Sequence, residues 1–137
     1  SLVVSPPAPA AAQAWNDNGS GIAIGGYDVV AYFADHHAVR GSSEHAATHE
    51  GATFHFASEE HRALFVATPS RYLPAYGGYC AYAAADGRVV HSDPTAWSIA
   101  GGHLYLNYSH EIRETWLSDR DRYIRDADAR WPSIRPH

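Results

Sequence analysis

Cysteine is nearly absent from this chain. Of 137 residues only Cys80 is a cysteine, so an intramolecular disulfide is excluded. Methionine and lysine are absent altogether, and all ten basic residues are arginines. Charged residues make up 18% of the sequence, and the formal net charge is −5. Because nucleic-acid binding depends on clustered cations, this composition gives no reason to expect a nucleic-acid partner.

Long hydrophobic runs are also absent. No stretch reaches the roughly 18–20 apolar residues of a membrane-spanning helix, so we expect no membrane span. Residues 1–20 are rich in proline and alanine, lack an initiator methionine, and include AQA at 12–14, a sequence with the form of a signal-peptidase site. We interpret this segment as a tether or a signal remnant, which predicts an exported protein, periplasmic or secreted.

The remaining residues, 21–137, fit a single domain. A chain of this length buries enough apolar surface to fold without disulfides or structural metals. Hydrophobic residues make up 45% of the sequence, as is typical of a globular protein. No internal repeat is evident in the sequence, and we expect one α+β domain.

Two β-hairpins are predicted from alternating apolar residues around glycine-containing turns. The sequence HEGATFHFAS turns at Gly51, and its alternation directs Phe54 and Phe56 to one face and His55 to the other. The sequence AWSIAGGHLYLNY turns at its Gly-Gly pair. The shorter apolar runs GIAI, DVVAYF and RVVHS are also interpreted as strands.

Helices are predicted from residues that favour helix termini. Ser58 is a good N-cap for the helix EEHRALFVATP, which ends at Pro69. Ser70 can cap a second short helix, RYLPAY, which ends at the following Gly-Gly pair. Ser109 begins a C-terminal helix with apolar residues on one face, and this helix is expected to end before Trp131. The segment YCAYAAA suits either a helix or a strand.

These elements predict small antiparallel hairpins packed with a short central helix pair and a C-terminal helix. The inward positions of the elements define the expected core. It consists of Phe54, Phe56, Leu64, Phe65, Tyr76, Trp97, Leu104, Leu106 and Trp116.

Three roles are open for Cys80. As a metal ligand, a thiolate together with imidazoles suits copper or zinc. As a nucleophile, Cys80 needs a neighbouring base and a lowered pKa. As a core residue, it needs only small apolar neighbours. The Gly77-Gly78 pair before Cys80 favours a specific placement of the thiol, and the turn after it can bring His91 alongside.

Histidine is unusually frequent, with ten residues in the chain, and it is the commonest metal-ligating side chain. His55 lies at the end of a predicted strand and His61 in the first turn of a predicted helix. We therefore predict that any metal site is built from Cys80, His61, His91 and His55, with copper as the first expected ion and zinc as the second.

Tyrosines cluster around the same segments. These residues either pack in the core or line a pocket for a small molecule. They are Tyr72, Tyr76, Tyr79, Tyr82, Tyr105 and Tyr108. No P-loop, dinucleotide fingerprint, HExxH motif or Ser-His-Asp order is present, so no nucleotide or flavin cofactor is indicated.

Four segments together form a recognisable pattern: GYDVVAYF, GATFHFASEEHRALFVATPSRYLPAYGGYCAYA, DPTAWSIAGGHLYLNYS and the closing WP. Over residues 21–132 the chain resembles the YHS-domain family, and in particular its exported bacterial members. The resemblance implies a treble-clef-like core in which cysteines bind a soft metal such as copper or zinc. The family's cysteine positions fall at Ala31, Ala57 and His61, so the resemblance implies that alanine replaces two of those ligands.

Three functions are expected, in this order. The first is an exported YHS-like protein that binds a transition-metal ion. The second is a metal-free module that binds a small molecule or a protein through the tyrosine-rich segment around Cys80. The third is an enzyme that uses Cys80, although binding is favoured over catalysis. Because Ala31 and Ala57 cannot coordinate a metal, we expect no structural zinc there and a fold that survives a strong chelator.

Overall fold

A computed structural model describes residues 14–136 of the chain. These residues form an α+β fold of two antiparallel hairpins and several helices, which confirms the predicted class. In chain order the elements are α1 (Ala31–Ala34), β1 (Ser42–His49), β2 (Ala52–Phe56), α2 (Glu59–Ala67), α3 (Ala81–Ala85), β3 (Asp93–Ala100), β4 (His103–Asn107), α4 (His110–Leu117) and α5 (Arg120–Ile134).

The folded part begins before residue 21, where the sequence placed the end of a tether. Asn16 is fully buried, and its N–H donates to the Gly77 carbonyl oxygen at 2.7 Å. Residues 1–13 of that predicted tether lie outside the described residues. No helix within residues 14–136 has the length and apolarity needed to cross a membrane.

The first hairpin pairs β1 with β2, as the sequence predicts. Phe54 and Phe56 are fully buried, whereas His55 between them is only half-buried. This difference follows from the two-residue period of a strand, which sends successive side chains to opposite faces. The second hairpin pairs β3 with β4 in the same way, and Leu104 and Leu106 are its fully buried residues.

The helix that follows each hairpin begins at a serine cap. Ser58 Oγ accepts a hydrogen bond from the His61 N–H at 3.1 Å, and Ser109 Oγ accepts one from the Ile112 N–H at 3.0 Å. Both caps satisfy a backbone donor that the first helical turn leaves unpaired. The predicted starts of both helices are therefore confirmed.

The chain consists of two consecutive units with the same order of elements. The first contains a 3₁₀ turn at Ala23–Gly26 followed by α1, β1, β2 and α2; the second contains a 3₁₀ turn at Ala75–Gly78 followed by α3, β3, β4 and α4. The hairpins and the helices after them are related by a constant offset of 51, the difference between Ser42 and Asp93. Even the break in strand register recurs at equivalent positions. This repeat contradicts the expectation of a chain without internal repeats.

The glycine pair before Cys80 belongs to this repeated framework. Ile24 and Tyr76 occupy equivalent positions in the two 3₁₀ turns, and both have left-handed backbone conformations, with φ of 57° and 56°. Each is followed by two glycines with positive φ, which adopt this conformation without steric cost. The Gly77-Gly78 turn is therefore not specific to Cys80, since the first unit makes the same turn before Asp28.

The core joins both units. One cluster combines residues of the first unit, among them Phe54 and Phe65, with Leu104 and Leu106 of β4. A second cluster packs α3, α4 and α5 around Trp116 and includes Tyr105, whose side chain leaves β4 on the opposite face. The strand β4 therefore contributes to both clusters and links them.

Most of the predicted core is confirmed, with two exceptions. Leu64 is 41% exposed, because it lies on the outer face of α2 while Phe65 on the same helix points inward. Trp97 is half-buried and packs at the edge of the first cluster, where its ring lies 5.5 Å from that of Tyr32.

Several predicted elements are wrong. The runs GIAI and DVVAYF are not strands: the first forms a 3₁₀ turn, and the second ends in the short helix α1. The run RVVHS belongs to no strand. The predicted helix RYLPAY is divided into two 3₁₀ turns. The C-terminal helix is two helices, α4 and α5, and α5 continues through Pro132 to Ile134.

Candidate functional site

Cys80 lies at the start of α3 and is 1% exposed. Its sulfur accepts a hydrogen bond from the Tyr108 N–H at 3.2 Å, and its S–H donates to Asn107 Oδ1 at 3.6 Å. Asn107 Oδ1 also accepts the Tyr82 N–H at 3.0 Å, so it caps α3 from the neighbouring strand. The thiol is thus part of a polar connection between α3 and β4.

Burial raises the pKa of the Cys80 thiol, and this effect outweighs the backbone hydrogen bonds and the charge of Arg88, which lower it. The sulfur is therefore a neutral thiol at neutral pH. Since the thiolate is the reactive form, this environment suits a packing residue more than a nucleophile.

A cavity of about 190 Å³ opens beside Cys80. Its wall is formed by side chains of α3, the segment after α3, and the start of α4. The lining residues are Cys80, Tyr82, Ala83, Arg88, Val90, Tyr108 and Ile112. We call this cavity the Cys80 pocket. Its wall is mainly apolar, with one charged side chain, Arg88.

The equivalent place in the first unit is filled by a hydrogen-bonded pair of Asp28 and His61. Asp28, which corresponds to Cys80, is fully buried, and its Oδ2 lies 2.7 Å from His61 Nδ1. Asp28 Oδ1 also accepts the N–H groups of Val30 at 2.9 Å and Ala31 at 3.2 Å, and Oδ2 accepts the Ala57 N–H at 2.9 Å. This carboxylate thus caps α1 and anchors the start of α2.

The two corners differ at two further positions. With the offset of 51, His61 corresponds to Ile112 and Ala57 corresponds to Tyr108. In the first unit an imidazole therefore meets the buried carboxylate. In the second unit a shorter aliphatic side chain stands in its place, and the Cys80 pocket lies in front of it.

His61 presents one ring nitrogen outwards. An ionised carboxylate only accepts hydrogen bonds, so Nδ1 carries the proton that faces Asp28. Nε2 then carries a lone pair and lies 3.9 Å from Asp35 Oδ2, at a side chain that is 14% exposed. An imidazole oriented by a carboxylate in this way is typical of histidines that bind metals or act as bases.

The other two predicted histidines have partners of their own. His91 Nδ1 lies 2.8 Å from Asn16 Oδ1, and its ring stacks on Tyr79 with centroids 6.3 Å apart. His55 is on β2, near Gly26 of the first 3₁₀ turn. None of the predicted histidines hydrogen-bonds to Cys80 in the described part of the chain. Residues 14–136 contain no group of three or more His, Cys, Asp or Glu side chains placed to hold a metal ion.

The tyrosines separate into two groups. Four of the six named above are buried and pack in the core. They are Tyr72, Tyr76, Tyr79 and Tyr105. The other two line the Cys80 pocket: Tyr82 is half-buried and packs on Tyr123 with ring centroids 5.2 Å apart, while Tyr108 is 59% exposed. Core packing therefore accounts for four of these tyrosines, and the other two line a cavity.

Two important residues were not among the predicted site residues. They are Asp28, which the sequence places only at the start of the run DVVAYF, and Asn107, which it places in the second hairpin. The repeat itself left a signal in the sequence: A-x-G-G-Y occurs at 23–27 and 75–79, and S-x-E-x-R occurs at 58–62 and 109–113. Aligning these motifs would have placed Asp28 opposite Cys80.

Searches with family models, among curated proteins and among solved structures found no match to this chain.

Proposed function

We propose that the protein is a binding module that holds a small molecule in the Cys80 pocket. The observation that carries this proposal is the cavity itself, which is concave, mainly apolar and lined by two tyrosines. Small-molecule sites commonly combine such walls with a few polar groups. The volume of about 190 Å³ exceeds the roughly 150 Å³ of an engineered cavity that binds benzene, so a ligand of that size class fits.

The raised pKa of Cys80 supports binding over catalysis by the thiol. A neutral, hydrogen-bonded sulfur contributes a polarisable surface to the pocket and little nucleophilicity. This favours the second of the functions expected from the sequence.

Blocking the pocket is expected to abolish binding. The test uses benzyl alcohol as the probe and amide chemical shifts as the readout. For a ligand this small we expect a Kd on the order of 0.1–1 mM with the wild type. Ile112→Trp fills the cavity from α4 and should remove saturable binding.

Leu117→Trp is the matched control, because Leu117 is on the same helix but 37% exposed and outside the pocket. This variant should bind like the wild type. Equal binding by Ile112→Trp, in a protein with unchanged circular dichroism, would place the probe elsewhere. No saturable binding by the wild type would overturn the proposal.

We also propose that the chain is an exported member of the YHS-domain family. The positions that the resemblance assigns to the family's cysteines support this proposal, because all three contact one side chain. The N–H groups of Ala31 and Ala57 donate to Asp28, and His61 Nδ1 pairs with it. Three positions spread over 31 to 61 in the chain thus converge at one corner of the first unit.

Transition-metal binding is the second candidate function, and His61 is the residue that favours it. Its Nε2 is free to act as a ligand, and the Asp35 carboxylate is close enough to contribute an oxygen after a small side-chain rotation. Copper(II) accepts such nitrogen and oxygen donors, with water completing its coordination, and binds more tightly than zinc in the usual affinity order.

Copper titration of single variants tests this candidate. Binding of copper(II) should be lost in His61→Ala and kept in His91→Ala, and the wild type should remain folded in strong chelator. Loss of binding in Cys80→Ser instead would favour the Cys80-centred site predicted from the sequence. Equal binding by all variants would assign the metal to other surface groups.

A further inference from the structure

The charge around the Cys80 pocket indicates which ligand it accepts, provided that the pocket is the binding site proposed above. Arg88 is the one charged residue among those that line the cavity. Its Nε donates to Asp86 Oδ2 at 3.0 Å, and no hydrogen bond to its two terminal nitrogens is found among the described residues. The guanidinium can therefore offer the N–H groups of both terminal nitrogens to a ligand at the mouth of the pocket.

The positive charge of Arg88 reaches the interior of the cavity. The arginine acts on the pKa of Cys80 and lowers it, although burial of the thiol has the larger, opposite effect. No acidic side chain lines the cavity itself, and Asp86 offsets part of the Arg88 charge from outside it. The pocket is therefore complementary to a negative charge, and such a charge would lie at the rim, where Arg88 is 56% exposed at its side chain.

The inner wall requires an apolar ligand body. Val90, Ala83 and Ile112 offer no hydrogen bond from their side chains, and the Cys80 sulfur is already bonded to Asn107 and Tyr108. A polar group placed at that depth would lose its water without gaining a partner. The polar part of the ligand must therefore face outwards, toward Arg88.

The two tyrosines favour a flat ligand body. Tyr108 is 59% exposed although it is a large aromatic residue, and its ring stands at the edge of the cavity, where a bound ring can stack on it. The Tyr82 ring packs against the ring of Tyr123. A cavity of about 190 Å³ between them accommodates one six-membered ring with a short substituent.

From these features we infer that the Cys80 pocket binds a small aromatic monocarboxylate, with its ring against Val90 and Ile112 and its carboxylate on Arg88. The repeat supports the location. In the first unit the His61 imidazole lies against Asp28 at the same corner, whereas in the second unit the equivalent residues, Ile112 and Cys80, line a cavity. The side chains at these two positions are therefore less polar in the second unit than in the first.

Benzoate and benzamide distinguish this inference from the general proposal, since they have nearly the same shape and differ in charge. Their Kd values are measured by amide chemical shifts at pH 7 and low ionic strength. We expect benzoate to bind the wild type about 3–10-fold more tightly, because a charged hydrogen bond at an exposed site is worth roughly 1 kcal/mol. Arg88→Gln should remove this preference and leave benzamide binding unchanged.

Two further variants serve as controls. Asp86→Asn releases Arg88 from its partner and should strengthen benzoate binding, while Arg125→Gln removes an exposed charge outside the pocket and should leave the preference intact. Equal binding of the two ligands by the wild type would overturn the inference while keeping the pocket as a site. A preference that persists in Arg88→Gln would also overturn it. Absence of binding by both ligands would refute the proposed function together with the inference.

Discussion

Replacement of Asp28 by alanine is expected to lower the free energy of unfolding by about 3–5 kcal/mol. This carboxylate is fully buried and accepts hydrogen bonds from Val30, Ala31, Ala57 and His61. Alanine would leave the N–H groups of Val30 and Ala57 and the His61 imidazole without their hydrogen-bond partner, while the Ala31 N–H keeps the backbone carbonyl of residue 28. Urea unfolding followed by circular dichroism measures the loss, which is a large part of the stability of a domain of this size.

The equivalent substitution in the second unit should be much milder. The Cys80 sulfur accepts a hydrogen bond from the Tyr108 N–H, and Asn107 provides the side-chain cap of α3. A neutral sulfur is also a weaker acceptor than a carboxylate. We therefore expect Cys80→Ala to cost about 1 kcal/mol. His61→Ala should fall between the two, since Asp28 keeps its three backbone donors. A loss for His61→Ala as large as that for Asp28→Ala would show that the Asp28–His61 hydrogen bond, rather than the capping, dominates.

The parts of the fold that could be predicted from the sequence are those with a local signal. Phe54 and Phe56 alternate with His55, and this period of two both defines the strand and orients it. Ser58 and Ser109 each cap a helix through a bond to the residue three positions later. Each of these features is determined by neighbours in the sequence.

The elements that were predicted wrongly depend on contacts with residues that are distant in the sequence. The apolar run DVVAYF is compatible with a strand, but Asp28 and its contact to Ala57, on the far side of the hairpin, turn it into the short helix α1. In the same way α3 is capped by Asn107, and the S–H of Cys80 donates to that residue. Local periodicity contains no information about such partners, because they meet only after the hairpins have formed.

The candidate site was predictable only in part. Cys80 is a candidate site residue from the sequence, and in the structure it lines the pocket. Whether Cys80, His61, His91 and His55 share a metal stays a prediction. The cavity is lined by residues from Cys80 to Ile112 that are distant in the sequence, and local sequence patterns contain no information about such a space.

The two units have exchanged their polar groups in a compensating way. In the first unit the helix is capped by Asp28, which lies just before it in the chain. The strand residue Phe56, which corresponds to Asn107 of the second unit, is apolar. In the second unit the cap is on the strand side, at Asn107, and the helix side carries Cys80. Each corner therefore keeps one buried polar group that satisfies the helix N-terminus, while the second corner becomes free to bind a ligand.

Trp116→Ala is the other substitution expected to have a large effect, about 3–5 kcal/mol in the free energy of unfolding. Trp116 is fully buried, and its ring lies 5.2 Å from that of Tyr105. The rest of the second cluster is mostly alanine, contributed by α3 and by Ala127 of α5. Alanines cannot move inward to fill the space of an indole, so the cavity would remain open and its full cost would be measured.

Trp116→Phe is the matched control. Trp116 Nε1 is buried without a hydrogen-bond partner among the described residues, so phenylalanine removes an unpaired donor while keeping most of the ring. We expect this variant to lose less than about 1.5 kcal/mol.

The shape of the Trp116→Ala transition tests whether the two units fold together. Leu104 and Leu106 of β4 pack in the first cluster and Tyr105 in the second, and the Tyr32 hydroxyl donates to the Pro94 carbonyl across the units at 2.7 Å. The Trp116→Ala substitution should therefore lower the stability of both units together. Fluorescence and circular dichroism should then report one coincident unfolding transition. Two separate transitions, with the first unit retaining its stability, would mean that the repeats are independent folding units.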